Sequence, residues 1–327
     1  MKRIALIFIG IISVVALLLL ADFKSVFVQI STLSYKDIWI LCILQIITIV
    51  LINIQWIKIS SDIGLKIKFI DAFDMNMTGT FFESITPAAK TGGEVAKVMF
   101  LKSKLGFSLG EASAVVSFQK IISMVCFLFL TLLSLFMFLL EPSLSSDCKK
   151  LILFSFLFLL IVVLVMILIV VYRGTLGRFF SYIPFLRKYE SKLNTFLISF
   201  DECIQRLINN KTSFMFHIIL SIGIWILFAV KTYYIMFSLG NTVKFTIAAS
   251  VTYLTYMIGM LPLLPGGLGS FEASMMLLLS PVGISSSLGI AIALILRFVT
   301  FWFVFLLSSI YLGIKYIVLR RKEKALV

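Results

Sequence analysis

Two glutamates and two basic residues stand where an apolar chain has least reason to carry charge. Glu94 follows Gly92-Gly93, and Glu272 closely follows Gly266-Gly267 and Gly269. Lys120 and Arg297 each lie 14 residues past a glycine, Gly106 and Gly283, inside long apolar runs. A charge at the centre of a membrane span costs about 2.5–3.5 kcal/mol on insertion scales, so it needs a partner or a wet cavity. Two readings of the acids are open. As first-turn residues they would complement a helix dipole, worth about 0.3–1 kcal/mol each. Alternatively, Glu94 pairs with Arg297 and Glu272 with Lys120, across the interface between two halves of the chain and inside a polar cavity.

The glycines around these acids carry a second chemistry. Backbone N–H groups at a helix start, with no side chain in the way, bind anions. Pro87, Lys90, Gly92, Gly93 and Lys97 would form one such loop, and Pro265, Gly266, Gly267 and Gly269 the other. Facing each other, the loops would suit a phosphate or carboxylate head group. The plainer reading is that the glycines permit tight turns and close helix packing, with Lys90 and Lys97 snorkelling to an interface. Asp71 and Asp74 share a helix face and mark either a wetted entrance or a weak metal pair. No metal site, cofactor or catalytic residue is expected.

The bulk numbers set the medium for this chemistry. The chain has 327 residues, 61% hydrophobic and 13% charged, with a formal net charge of +14 and a mean hydropathy of +1.12. Soluble domains run at roughly 45–50% apolar and about 25% charged. A soluble enzyme, a disordered chain and a disulfide module are therefore excluded. In a soluble protein the positive charge would suggest nucleic acid; here it belongs to membrane topology, and no nucleic-acid partner is expected. The single histidine, His217, removes multi-histidine metal chemistry, and the four cysteines form no CxxC pair. No GxxxxGK[ST] loop is present for ATP.

The elements that must position these residues are membrane helices. A span needs roughly 20 apolar residues, and six runs qualify: 4–21, 38–57, 112–140, 151–172, 214–238 and 286–314. Two further apolar regions are broken by Pro and Gly. One covers about 69–104, interrupted from Thr86 to Gly93, and the other about 245–280, interrupted from Pro262 to Gly269. Each predicts a re-entrant or broken helix hairpin, the best sequence pointer to a transporter site. Between charged positions in 174–211, Leu193, Phe196, Leu197, Phe200, Ile204 and Leu207 recur at helical spacing. They predict an amphipathic linker helix on the cytoplasmic surface.

The two broken regions also match in order. Lys68-Phe69-x-x-Ala72 answers Lys244-Phe245-x-x-Ala248, Gly79 answers Gly259, and Pro87 and Pro265 each precede a glutamate by seven residues. Gly106-x-Ser108 answers Gly283-x-Ser285. Three crossings separate the two units, so the second enters from the opposite face. The expectation is one all-α polytopic transmembrane domain over 1–327, with inverted repeat units at about 66–140 and 243–317.

Lys and Arg collect in one set of loops: Lys2-Arg3, Lys58 to Lys68, the cations between 173 and 213, and the tail from Lys315 to Lys324. The positive-inside rule then places both termini in the cytoplasm, for a protein of the cytoplasmic (inner) membrane. Lys231, near the outer end of its span, is expected to snorkel, and His217 to be an ordinary residue at a span start.

Ile85-Thr86-Pro87 through Gly92-Gly93-Glu94-Val95-Ala96-Lys97 resembles the first motif of the lysylphosphatidylglycerol synthase/flippase transmembrane family. Leu261-Pro262-Leu263-Leu264-Pro265-Gly266-Gly267-Leu268-Gly269-Ser270-Phe271-Glu272-Ala273, with Gly283 and Arg297, resembles its second. Where the family usually has an acid and an arginine after the first motif, this chain has Gln119-Lys120. Family members with an appended soluble domain aminoacylate phosphatidylglycerol and flip the product. With few residues after its last apolar run, this chain is expected to correspond to the flippase-like half alone.

The resemblance implies a transporter-like lipid translocase rather than an enzyme, its partners being membrane lipids. It would move a phosphate-bearing or lipid-linked head group through a midplane cavity. The rival readings are a membrane-embedded transferase on a lipid-linked substrate and a non-catalytic partner of a lipid-modifying enzyme. A homo-oligomer is compatible with each.

Overall fold

A computed structural model describes residues 23–86, 91–139, 146–172, 190–261 and 267–325. The described residues form helices with no strand among them. They run α1 (Phe23–Ser31), α2 (Tyr35–Asp62), α3 (Phe69–Ile85), α4 (Thr91–Leu105), α5 (Leu109–Leu139), α6 (Ser146–Val171), α7 (Glu190–Asn209), α8 (Lys211–Ser238), α9 (Phe245–Gly259), α10 (Ser270–Leu279), α11 (Ser286–Arg297) and α12 (Phe303–Ala325). Among the described residues, five helical stretches are long and apolar enough to cross a membrane: α2, α5, α6, α8 and the continuous rod from α11 through α12. The chain is an all-α polytopic membrane protein. The expected span at 4–21 lies outside the described residues.

The polar residues inside the apolar helices explain how α2 finds α8. Tyr234 and Ser238 donate to Asp37 at 2.7 and 3.1 Å. Further along, Lys231 donates to Gln45 and, at 3.1 Å, to Thr48. Gln55 donates to Ser221 at 2.8 Å, and Ser213 and His217 meet Asp62, the histidine at 2.9 Å. As the numbers rise on α2 they fall on α8, so the two helices are antiparallel and pinned in one register by four polar rungs. Within a bilayer an unpaired polar group has no water to turn to. A slip in this register would therefore orphan several rungs together.

Lys231 corrects the sequence expectation. Its side chain does not snorkel: it is fully buried, held by Gln45 and Thr48, with the ammonium 4.2 Å from the centre of the Phe228 ring.

Both broken regions form antiparallel helix hairpins, α3–α4 and α9–α10. Their helices have 17, 15, 15 and 10 residues, each shorter than a span requires. The glycines set the approach. A Cβ on Gly93 would stand 2.7 Å from the Gly79 carbonyl oxygen, and one on Gly267 would stand 2.7 Å from the Gly259 carbonyl oxygen. These glycines permit close helix packing within each hairpin, the plainer of the two readings.

A long helix follows each hairpin and packs on it: α5 after the first, α11 after the second. Immediately past Arg297, α11 passes through a π-helical turn, Phe298–Trp302, before α12. Such turns concentrate at functional sites. In the sequence the run 286–314 reads only as one span.

In the segment expected to be amphipathic, α7 forms over Glu190–Asn209. Its apolar stripe, with Phe200, Cys203, Ile204 and Leu207 all buried, is covered by protein. Gly110 at the start of α5 allows this approach, since a Cβ there would lie 2.5 Å from the Phe196 carbonyl oxygen. The stretch 174–189 lies outside the described residues.

Candidate ion-pair site in the two hairpins

In each unit the acid at the start of the second hairpin helix meets the cation of the helix that follows. Glu272 and Arg297 are joined at 2.8 Å, and Glu94 and Lys120 at 3.3 Å. The expected cross-pairing of Glu94 with Arg297 and Glu272 with Lys120 is therefore corrected. The reason is local packing: α4 lies directly on α5, and α10 on α11. An acid on one is then within reach of a cation on its neighbour, and the partner in the other half is not needed.

The two pairs differ in character. Glu272 is sealed, its side chain 2% exposed against 8% for Arg297. One carboxylate oxygen takes Arg297, and the other accepts the Gly269 N–H at 2.8 Å. Arg297 also donates to the Gly267 carbonyl at 3.1 Å and lies 5.4 Å from the centre of the Phe271 ring. Gly269 takes φ +82, a positive value that glycine adopts readily. At this helix start the glycine N–H is already met by the chain's own carboxylate. The arrangement is a fully bonded buried pair, in which loss of one partner typically costs 3–5 kcal/mol.

The first pair is open. The side chain of Glu94 is 22% exposed and that of Lys120 31%. Glu94 is shared between two ammonium groups, Lys120 on one oxygen and Lys97 on the other at 3.4 Å. Both contacts exceed the roughly 2.7–2.9 Å of a strong charge-assisted hydrogen bond. Lys97 runs its methylenes across Gly79 and sets its ammonium 5.3 Å from the centre of the Trp56 ring on α2. Glu83, whose Cβ would lie 2.8 Å from a Cβ on Gly93, completes the acidic side of the cluster. Two lysines and two glutamates thus share a small volume with long contacts, Glu94 and Lys120 partly exposed and Lys97 buried.

Gly92, Gly93, Glu94, Lys97 and Lys120 are brought together in the first unit, and Gly267, Gly269, Glu272 and Arg297 in the second. Pro87, Lys90, Pro265 and Gly266 lie outside the described residues. Asp71 bonds the Lys68 N–H at the start of α3, at 3.2 Å, while Asp74 takes Tyr311 and Lys315. The two carboxylates are thus engaged separately. Among the described residues no group of three His, Cys, Asp or Glu side chains is placed to hold a metal. His217 is fully buried on the Asp62 rung and, unlike an ordinary span-start residue, keeps its Nδ1 without a partner.

Sequence reasoning missed one more feature. Asn53, Trp56 and Ser60 lie along α2 at spacings of three and four residues and share one helix face. Both amide atoms of Asn53, the indole nitrogen of Trp56 and the hydroxyl of Ser60 are buried without a hydrogen-bond partner. Each such atom costs about 1–3 kcal/mol. Trp56 links the row to the ammonium of Lys97 and so to the open pair. The visible signal was an asparagine in the middle of an apolar run.

A family profile described as "Lysylphosphatidylglycerol synthase TM region" matches residues 5–308. The chain is 24% identical to a "UPF0104 membrane protein" of Methanothermobacter thermautotrophicus over 312 residues, 93% of this chain and 92% of the relative. It is also 24% identical to a "UPF0104 membrane protein" of Pyrococcus horikoshii over 326 residues, 95% and 96% of the two chains. A third relative of that description, from Methanocaldococcus jannaschii, is 24% identical over 268 residues, 79% of each chain.

Proposed function

We propose that this chain, which belongs to the lysylphosphatidylglycerol synthase TM region family, is a lipid translocase rather than an enzyme. Its substrate is a membrane lipid with a phosphate-bearing or lipid-linked head group. The observation that carries the reading is the open cluster of Glu94, Lys97 and Lys120. Ionisable residues inside membrane protein are costly, and they mark substrate paths when they face a wet cavity. Here one pair is sealed and its counterpart is loose, as expected of a site whose partner comes and goes.

In this account the head-group phosphate replaces Glu94 on Lys97 and Lys120, while the acyl tails remain in lipid. Glu94 and Glu83 supply the negative charge that returns the lysines to their starting state when the lipid leaves. The two hairpin units are read as an inverted repeat. Three candidate spans, α5, α6 and α8, lie between the hairpins, an odd number that turns the second unit over. Reciprocal movement of such units about a midplane site is the usual logic of alternating access. The distribution of basic residues supports a cytoplasmic-membrane protein with both termini inside.

Reconstitution into liposomes with fluorescent phospholipid analogues tests the proposal. Head-group movement between leaflets, with no new lipid species on chromatography, is the expected result. A new lipid product would replace the translocase reading with the transferase one, and absence of both would remove the activity altogether.

A further inference from the structure

A cavity of about 490 Å³ lies on the opposite side of α5 from Lys120. Phe118, Ile122 and Cys126 of α5 form its floor, and Ile167 of α6, Ile204 of α7 and Ile218 of α8 its walls. The lining is apolar throughout. It arises because α6 and α8 both pack on α5 and leave a gap between them, which α7 closes at one end. The translocase site does not use this cavity.

Three observations say what fills it. First, the walls are membrane helices, so the medium beside the gap is hydrocarbon. Filling it with chain rather than void recovers the dispersion contacts an empty cavity forfeits. Second, the lining on α5 runs from Phe118 to Phe129, 11 residues or about 16 Å at 1.5 Å per residue. That is about half of a hydrocarbon core of roughly 30 Å, the depth of one leaflet. Third, the closed end is the turn from α7 to α8, where Lys211 is exposed and falls on the same face of α8 as the lining residues Phe214, Ile218 and Ile222. A cation at the head-group level above an apolar slot complements an anionic lipid.

We propose that this groove is a binding site for one acyl chain of an anionic phospholipid, whose phosphate rests against Lys211. It is a second lipid site, separate from the Glu94 cluster, and it stands whether or not the protein moves lipids.

The test uses the full chain in phosphatidylcholine vesicles doped with phosphatidic acid carrying a photoactivatable diazirine on its acyl chain. The control is phosphatidylcholine with the same probe. After irradiation, labelled positions are read by peptide mass spectrometry. Label is expected to concentrate on Val125, Phe129 and Ile218, roughly tenfold above the outer face of α6 at Ile161 and Leu168, the ratio that 1.4 kcal/mol of preference produces. Ile122→Trp, which fills the slot with an apolar ring, should bring groove labelling down to the outer-face level and leave the outer face unchanged. Should that variant fail to insert, Val125→Trp at the exposed edge serves the same purpose. Lys211→Glu should abolish the preference for the anionic probe. Even labelling of all lipid-facing helices, or groove labelling unaffected by the tryptophan, would overturn the site. A choline probe labelling as strongly as the phosphatidic acid would overturn the anionic assignment.

Discussion

Glu272 and Arg297 meet at 2.8 Å with both side chains almost fully buried, while their counterparts Glu94 and Lys120 meet at 3.3 Å with both partly exposed. The same order of glycine, acid and cation has thus produced one staple and one loose contact. A structural role and a ligand-exchange role predict opposite patterns of damage, and the molecule carries one example of each.

For the staple, Glu272→Gln or Arg297→Ala is expected to insert but to lose about 3–5 kcal/mol, because the surviving charge is buried unpaired. Replacing both residues by apolar side chains of similar volume should restore most of the loss. Thermal unfolding of the purified proteins in detergent reads this directly. A double variant as unstable as the sum of the singles would contradict it.

For the loose pair the order reverses. Glu94→Gln removes the charge from two long contacts but keeps a side-chain oxygen that can accept from both lysines. Its stability cost should be smaller than that of Glu272→Gln, while transport is lost. Lys120→Ala should behave the same way. A large drop in unfolding temperature for either variant would assign the cluster to the scaffold instead.

Asn53→Leu is expected to stabilise the protein by about 1–3 kcal/mol, since it removes two buried polar atoms that have no partners. Trp56→Phe deletes one such atom and keeps the ring beneath Lys97. A row kept at this cost points to use in another conformation, so both variants should be more stable and less active. Loss of stability in Asn53→Leu would mean that the amide is bonded after all.

Burial pushes the Cys203 thiol up to about 11, with Glu111 and Glu202 adding in the same direction. At pH 8 it is therefore almost wholly protonated, and the thiolate is the reactive form. Alkylation by iodoacetamide should be slow at pH 8 and should rise with pH towards 11. Gly110→Val, which forces α7 off α5, should expose the thiol and make it react at pH 8. Fast labelling of the unmodified chain would contradict the docking of α7.

Much of this arrangement was legible before any coordinates. Proline and glycine punctuate an apolar run in a way no span tolerates freely, so both hairpin breaks could be read to within a few residues. The apolar period of α7 was equally plain. What could not be read was which acid meets which cation. Spacing matches Glu94 and Lys120 with Glu272 and Arg297, but the packing of α4 on α5 decides that Glu94 and Lys120 touch each other. Lys231 was misjudged for a similar reason. Its partners Gln45 and Thr48 sit on a helix more than 180 residues earlier in the chain, and near the end of its own span a lysine resembles any snorkelling cation. The unbonded row on α2 was invisible because a sequence shows polar atoms but not their partners.

The central claim is that the Glu94–Lys97–Lys120 cluster exchanges its internal ion pair for a lipid head group. It is tested most directly by dithionite quenching of a fluorescent phospholipid in proteoliposomes, comparing the unmodified chain with Glu94→Gln at matched protein density. The account predicts that the unmodified chain makes inner-leaflet lipid accessible while Glu94→Gln leaves it protected, with both proteins folded at the assay temperature. Equal rates of quenching for the two proteins would contradict it.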